Sequence, residues 1–183
     1  AVDPETGFLY VPSRNAFSVT ALARPAAELE SNLQFMQATP RNPRMPDGIP
    51  LLKPPYSRIT AIDMNRGEHV WMTPAGRGER IRNLPALRGL DLPPLGGDST
   101  LSGPLLTKTL LIYALTTGGT TGGPRLVGYD KASGRELGSA DLPGAAIGTP
   151  MTYMVNGKQY VALTVQGIGR DALPELVALA LPD

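Results

Sequence analysis

A short phrase, Asp-x-x-x-Gly, occurs three times in the chain and limits its fold more than any other feature. The copies begin at Asp3, Asp63 and Asp130, and apolar or alternating segments flank each of them. Aspartate accepts hydrogen bonds from backbone N–H groups two or three residues ahead, and the closing glycine adopts a left-handed conformation that other residues avoid. Each copy is therefore predicted to be a tight turn between strands. Repeated units of this kind bury their apolar faces only against neighbouring copies.

Alternation of apolar and polar residues predicts antiparallel strands around these turns. The clearest signal is Asn156-Gly157 between two alternating segments, which is typical of a two-residue β-hairpin. Helix is predicted only for a short segment at 26–36. The predicted strand pairs span residues 1–12, 58–72, 103–115, 126–142 and 150–165, and a last strand spans 175–181.

Aligned in register, these strands form repeated four-stranded antiparallel sheets without helices between them, which are typical of β-propeller blades. The 183 residues hold nearly three such units, and the last lacks its outer strand. Three blades cannot close into a ring of about 4–8 blades. The sequence therefore predicts an all-β fragment, the C-terminal blades of a larger propeller, with a proline-rich insertion at 16–57. The remaining blades are expected upstream in the same polypeptide or in another chain.

The composition excludes several classes of partner. With 17 basic and 16 acidic residues, the chain has no field that would attract nucleic acid or anionic lipid. No apolar run is long enough to span a membrane, so membrane contact is expected only through parts outside this chain. The absence of cysteine excludes disulfides and a thiolate metal site. The 21 glycines and 19 prolines suit many short strands joined by tight turns.

Three segments resemble the pyrroloquinoline-quinone (PQQ) dehydrogenases, or quinoproteins. Ala61, Asp63, Gly67, Trp71 and Gly76 have the spacing of that family's tryptophan-docking motif. Residues 142–162, which include Thr-Pro-Met-Thr-Tyr and Asn-Gly-Lys-Gln-Tyr, resemble the family's last blade, and residues 3–12 resemble the start of one of its later blades. The lack of cysteine and a Leu-Gly-Gly stretch at 95–97 favour the glucose, quinate and polyol branch.

The resemblance implies an eight-bladed propeller and a periplasmic enzyme. Such an enzyme oxidises a sugar, polyol or alcohol hydroxyl and passes electrons to a quinone-type acceptor. Its cofactors are PQQ and calcium, and the cofactor carries the chemistry while the protein orients it. By the order of the blades, the calcium ligands and the catalytic base would lie outside this chain. The chain is thus expected to supply wall and floor of the cofactor pocket, with no catalytic or metal-binding residue, and to be inactive alone.

Five residues are predicted to contact the cofactor. Asn15 follows a strand at the position where the family supplies an asparagine to the quinone, although an asparagine there also closes turns. Glycines at strand ends near the ring axis would let backbone N–H groups approach a planar ligand, although turns alone also account for them. These glycines are Gly96, Gly97, Gly167 and Gly169. The stretch at 166–170 departs from the family's usual sequence, which leaves the lining of the pocket open.

Other conspicuous residues have structural explanations. Trp71 is predicted to pack between neighbouring blades rather than to stack on the cofactor. His69 has no second imidazole or carboxylate cluster and is predicted to be structural or exposed. Asp63 and Asp130 are interpreted as turn residues rather than as a pair of catalytic acids. Gly138 stands where the third copy of the docking motif would place tryptophan, so one contact between blades is expected to be weakened or replaced.

Two features leave alternatives open. The glycines at 118–123 resemble a phosphate-binding loop but lack its Gly-Lys-Ser/Thr ending, so a hairpin tip is predicted. A basic cluster is predicted to be a solvated connection, with binding to a partner chain or an anionic head group as the alternative; it comprises Arg77, Arg80, Arg82 and Arg88. A different function also remains, because propellers with similar repeats serve as non-catalytic scaffolds in the bacterial envelope.

Overall fold

A computed structural model describes residues 1–100, 102–167 and 172–181. Within this part of the chain, three large antiparallel sheets follow one another in sequence, and a small two-stranded sheet lies in the 16–57 insertion. Sheets 1 and 2 each have four strands and sheet 3 has three, and in each of them the strands lie side by side in the order of the sequence. The predicted all-β architecture, nearly three propeller blades, is confirmed. None of the described helices has the length and apolar character needed to cross a membrane.

The strands agree closely with those predicted from the sequence. Sheet 1 contains β1 (Val2–Asp3), β2 (Phe8–Arg14), β5 (Ser57–Asp63) and β6 (Glu68–Pro74). Sheet 2 contains β7 (Leu105–Leu106), β8 (Leu110–Leu115), β9 (Arg125–Asp130) and β10 (Glu136–Asp141). Sheet 3 contains β11 (Met151–Val155), β12 (Lys158–Val165) and β13 (Glu175–Ala180). Sheet 3 therefore has three strands in the described residues, as expected for a blade without its outer strand.

The turns form for the predicted reasons. Asp63 accepts the N–H of Asn65 at 2.9 Å, and Asp130 accepts that of Ser133 at 2.7 Å. These bonds confirm the two aspartates as turn residues. Between β11 and β12, Asn156 and Gly157 have φ angles of 49° and 78°, as a type I′ hairpin turn requires.

The three sheets pack face to face because successive side chains of a strand point to opposite sides. In β8, Leu111 and Tyr113 face sheet 1 and join a core that includes Tyr10 and Ile59. The alternate residues of β8 belong to a second core, which includes Leu163 of sheet 3. Sheet 2 is thus the middle layer, and its two apolar faces hold the neighbouring sheets.

The helix predicted at 26–36 is absent, and that prediction is wrong. A single turn closes where the Leu29 N–H bonds the Ala26 carbonyl, and the Ser31 hydroxyl then accepts the N–H of Leu33. Side-chain bonds of this kind compete with helix formation, and an exposed helix of this length is only marginally stable. The segment instead carries a two-stranded sheet of β3 (Leu22–Ala23) and β4 (Met36–Gln37).

Helix occurs instead in the connection between sheets 1 and 2. It comprises α1 (Glu79–Arg82) and a 3₁₀ turn (Pro85–Leu87). Ile81 is the buried residue of α1, and its side chain lies beside Gly97. Arg82 donates hydrogen bonds to the carbonyls of Leu92 and Pro93, which ties the basic connection together. The glycines at 118–123 close the β8–β9 hairpin, as predicted.

Trp71 joins sheet 1 to sheet 2, which confirms its predicted docking role. Its indole Nε1 donates to the carbonyl of Lys131 at 3.1 Å, and the Tyr10 hydroxyl donates to the same oxygen at 3.0 Å. The side chain of the same residue also contacts sheet 1, because the Lys131 ammonium lies 2.7 Å from the buried carboxylate of Asp3. The turn that begins at Asp130 is therefore fixed to sheet 1 by both its backbone and a side chain.

Gly138 breaks this pattern between sheets 2 and 3. It pairs with Gly128 in the same way that Trp71 pairs with Ala61, beside an equivalent register shift. A Cβ added at Gly138 would meet nothing within 4 Å. The docking contact is therefore missing at this copy within the described residues.

Gly134→Ala should destabilise the chain by about 1–3 kcal/mol more than Gly67→Ala, because overpacking adds to backbone strain. Both glycines close an Asp-x-x-x-Gly turn, with φ of 72° and 70°. A Cβ at Gly134 would lie 2.5 Å from the Trp71 ring, whereas one at Gly67 would meet nothing within 4 Å. The two variants share the strain of a left-handed residue and differ in the indole contact. Urea unfolding of both would measure the difference, and equal losses would contradict the docking geometry.

Candidate functional site

A cavity of about 520 Å³ opens where the strands of sheets 1 and 2 end on one side of the molecule. We call it the strand-end cavity. Its walls come from the end of β2, the start of β5, the stretch at 97–99, the residues after β8, the 16–57 insertion and α1. The volume lies within the usual range of about 300–1,000 Å³ for small-molecule sites. Several separate segments therefore converge on one concave site.

Hydrogen bonds at the end of β2 hold the first wall of the cavity. The Arg14 guanidinium donates to the Ser99 hydroxyl at 3.0 Å and to the Ser99 carbonyl at 2.6 Å. Next to it, the backbone N–H of Asn15 donates to Tyr56, and the Asn15 side-chain amide donates to the Lys53 carbonyl at 2.9 Å. Asn15 is thus fixed between the end of β2 and the end of the insertion.

Close crossings of the backbone form the second wall. The Ser57 hydroxyl is buried, donates to the Ala75 carbonyl, and accepts the N–H of Gly97 at 2.6 Å. A Cβ at Gly96 would lie 2.1 Å from the Ser57 carbonyl oxygen, and one at Gly78 would lie 2.6 Å from the Gly96 carbonyl oxygen. Only glycine permits these approaches, so the crossing positions Gly97 at the cavity.

Asp98 is buried beside this crossing, with 2% of its surface exposed. Burial raises the pKa of its carboxyl group, and the hydrogen bond from the Gly78 N–H, at 2.6 Å, acts in the opposite direction. Its backbone carbonyl accepts both the N–H and the hydroxyl of Thr116, which links the crossing to sheet 2. The carboxylate therefore stabilises the second wall through its hydrogen bond with Gly78.

The donors around the cavity suit an anionic ligand. Arg14, Arg44 and Arg80 line it, and none of them forms an ion pair with a carboxylate among the described residues. The Thr117 hydroxyl oxygen is buried there without a hydrogen bond of normal geometry, although it is near enough to lower the pKa of Asp98. A buried hydroxyl without such a bond is uncommon in proteins, and a ligand atom would satisfy it.

The structure places the predicted cofactor contacts in three locations. Asn15 and Gly97 both line the strand-end cavity, while Gly96 packs on Ser57 behind it. Gly167 follows β12 in sheet 3, where a Cβ would lie 2.3 Å from the Leu173 carbonyl oxygen. Gly169 lies outside the described residues. Binding of PQQ by these five residues remains a prediction.

The remaining candidates from the sequence do not form a reactive cluster. His69 is exposed on β6, as predicted. Within the residues that the structure describes, no three His, Cys, Asp or Glu side chains come close enough together to hold a metal ion.

Sequence reasoning missed several residues of the cavity. Arg14 and Arg44 carried no pattern that distinguished them from other surface arginines, and Arg80 was assigned to a solvated connection. Asp98 directly follows two glycines, and adjacent glycines indicate a close approach of the backbone. This was the one signal in the sequence that pointed to Asp98 as a residue of the cavity.

Comparisons with known proteins identify the family of the fold. A family model described as "PQQ: Glucose/ethanol/alcohol dehydrogenase, beta-propeller domain" matches residues 1–161. The quinate/shikimate dehydrogenase (quinone) of Acinetobacter baylyi is 35% identical over 66% of this chain. The quinoprotein glucose dehydrogenase of Escherichia coli is 32% identical over 75% of it, and the glycerol dehydrogenase large subunit of Gluconobacter thailandicus is 36% identical over 74%. The matches cover only 14%, 17% and 18% of those proteins.

Solved structures show the same fold. The quinohemoprotein alcohol dehydrogenase of Comamonas testosteroni superposes with a TM-score of 0.54 at 21% identity, over 90% of this chain and 21% of that one. A europium-containing methanol dehydrogenase gives a TM-score of 0.53 at 20% identity, over 91% of this chain and 24% of that one. One conclusion follows from the stacked sheets, the docking tryptophan and the match over residues 1–161. The chain belongs to the β-propeller family of PQQ-dependent glucose, ethanol and alcohol dehydrogenases.

Proposed function

We propose that this chain forms part of a periplasmic PQQ-dependent dehydrogenase that oxidises a hydroxyl group of a sugar, polyol or alcohol and passes the electrons to a quinone-type acceptor. The observation that carries the proposal is the strand-end cavity in a chain of this family, with Asn15 and Gly97 on its walls. When bound, PQQ supplies a quinone that accepts the electrons of the oxidised hydroxyl. The chain's own residues would bind and orient it.

Each wall would contribute a different kind of contact. Asn15 is held by Tyr56 and Lys53, so its side-chain oxygen would be presented to the ligand in a fixed place. The buried Thr117 hydroxyl would form a hydrogen bond with the ligand. The arginines would balance negative charge on the ligand. These contacts position the cofactor and exclude water from one side of it.

The catalytic base and the calcium ligands are proposed to lie on parts of the protein outside this chain. Among the described residues, Asp98 is the one acidic side chain on the cavity wall, and its carboxylate already accepts the Gly78 N–H. A site for Ca²⁺ needs six to eight oxygen ligands, several of them from carboxylates. The cavity as described does not provide such a set.

The remaining propeller blades are proposed as partners, in the same polypeptide or in another chain. In sheet 3, β11 is exposed along its whole length, and its large apolar side chains include Met151, Met154 and Val155. On the other edge, Leu176 of β13 is 77% exposed. Exposed large apolar side chains on both edges of a sheet favour contacts with neighbouring blades.

Reconstitution with PQQ and Ca²⁺ tests the proposal. The chain assembled with its remaining blades should bind PQQ, show quinone absorbance, and bleach a redox dye when a sugar or polyol is added, whereas the 183-residue chain alone should not bleach the dye. Asn15→Ala should weaken PQQ binding by roughly fivefold, the value of about one hydrogen bond. Asn32→Ala is the matched control, since Asn32 is an exposed asparagine of the 16–57 insertion that does not line the cavity.

The alternative function is a non-catalytic scaffold, and the open space at Gly138 is the observation that favours it. If the chain assembled with its remaining blades binds no PQQ at micromolar concentrations, with or without Ca²⁺, that result would contradict the dehydrogenase proposal and support the scaffold.

A further inference from the structure

Three arginines reach the strand-end cavity from three separate segments. Arg14 ends β2, Arg44 comes from the 16–57 insertion, and Arg80 lies in α1. Arg14 uses Nε and Nη2 to hold Ser99, which leaves its other terminal nitrogen available to a ligand. Arg44 donates from Nη1 to the carbonyl of Gly48 at 3.0 Å, so its position is also partly fixed. The cavity therefore has convergent cationic donors that the core of the fold does not require.

Little negative charge opposes these arginines. In the described part of the chain, Asp98 is the acidic residue on the cavity wall, and its buried carboxylate accepts the Gly78 N–H. Glu79, next to Arg80 in sequence, pairs with Arg77 instead, at 3.7 Å. The cavity thus carries a net positive charge, which favours an anionic ligand.

We propose that the strand-end cavity is a carboxylate-binding site, in which Arg44 and Arg80 recognise a carboxylate group of the ligand. The planar fork of a guanidinium group pairs with the two oxygens of a carboxylate better than an ammonium group does. The carboxylate comes either from the bound PQQ, which carries carboxylate groups, or from an acidic hydroxy compound that is the substrate. The second source rests on the proposed function, since it assumes that the cavity also admits the compound to be oxidised.

The test compares charged and neutral probes of the same shape. The variant is Arg44→Gln with Arg80→Gln, because both side chains are exposed and their loss leaves the core intact. Arg14 is left unchanged, since its bonds to Ser99 hold the wall. The control is Arg41→Gln with Arg88→Gln, two arginines of the same segments that do not line the cavity. Calorimetry at low salt would measure binding of PQQ, the trimethyl ester of PQQ, gluconate and sorbitol.

If the arginines bind the cofactor, the double variant should lose about tenfold in affinity for PQQ and keep its affinity for the ester. If they bind the substrate, the loss of about tenfold should occur for gluconate, while any binding of sorbitol is unchanged. A double variant with Lys at both positions should fall between the wild type and the Gln variant, because it keeps the charge but not the fork.

Unchanged affinity for both PQQ and gluconate would overturn the inference, and so would an equal loss in the control. A protein that binds no PQQ but shows gluconate binding dependent on these arginines would refute the proposed dehydrogenase and still support the carboxylate site. If neither charged probe binds the wild type, the inference is wrong.

Discussion

Trp71→Ala is expected to lower the free energy of unfolding by about 3 kcal/mol, the lower end of the usual cost of truncating a large aromatic side chain, because the indole is only partly buried. The indole fills the joint between sheets 1 and 2, where its ring lies against Gly134 and its centroid is 5.8 Å from that of Tyr10. Its Nε1–H also satisfies the Lys131 carbonyl. Truncation would leave a cavity at the joint and remove one of the two donors to that oxygen.

Two further variants separate packing from hydrogen bonding at this joint. Trp71→Phe keeps most of the ring and removes the N–H donor, so it should cost about 1 kcal/mol. His69→Ala is the matched control, because His69 is an exposed aromatic of the same strand and should change stability by no more than about 0.5 kcal/mol. Urea unfolding would measure the stability of all three variants, and a separate binding assay would measure their affinity for PQQ. A loss of PQQ binding with unchanged stability in Trp71→Ala would show that the tryptophan serves the cofactor instead.

The sheets were predictable because their signals are local. An aspartate followed by glycine four residues later encodes a turn in its own side chain and backbone, and Asn156-Gly157 does the same for a hairpin. Even the contact made by Trp71 followed from its spacing after Gly67, since a repeated unit places equivalent residues at equivalent joints. The strand boundaries accordingly differ from the predicted ones by only a few residues.

The strand-end cavity was only partly predictable because it depends on contacts between distant segments. Arg14 and Ser99 are 85 residues apart, and their contact decides where the Arg14 guanidinium lies. The insertion at 16–57 lacks periodicity, so the sequence indicated neither its two-stranded sheet nor the position of Arg44. The false helix at 26–36 has a related cause, since helical propensity alone does not stabilise a segment that buries no face.

Gly96→Ala is expected to destabilise the protein by roughly 4 kcal/mol. A left-handed conformation costs about 1–2 kcal/mol for a residue with a side chain, and Gly96 has a φ of 65°. The added Cβ would lie 2.1 Å from the Ser57 carbonyl oxygen, which already accepts the Ala75 N–H. Backbone atoms cannot rotate away as a flexible side chain can, so overpacking adds up to about 3 kcal/mol.

Comparison with Gly67→Ala isolates the part of this cost that comes from the crossing at Ser57. Gly67 has a φ of 70° and open space around it, so its variant should lose only about 1–2 kcal/mol in urea unfolding. A similar small loss in Gly96→Ala, combined with failure to bind PQQ, would mean that Gly96 serves the cofactor directly, as the sequence suggested. A large loss of stability would instead show that Gly96 acts by holding Gly97 and Asp98 in place, because the crossing that it permits forms the second wall of the cavity.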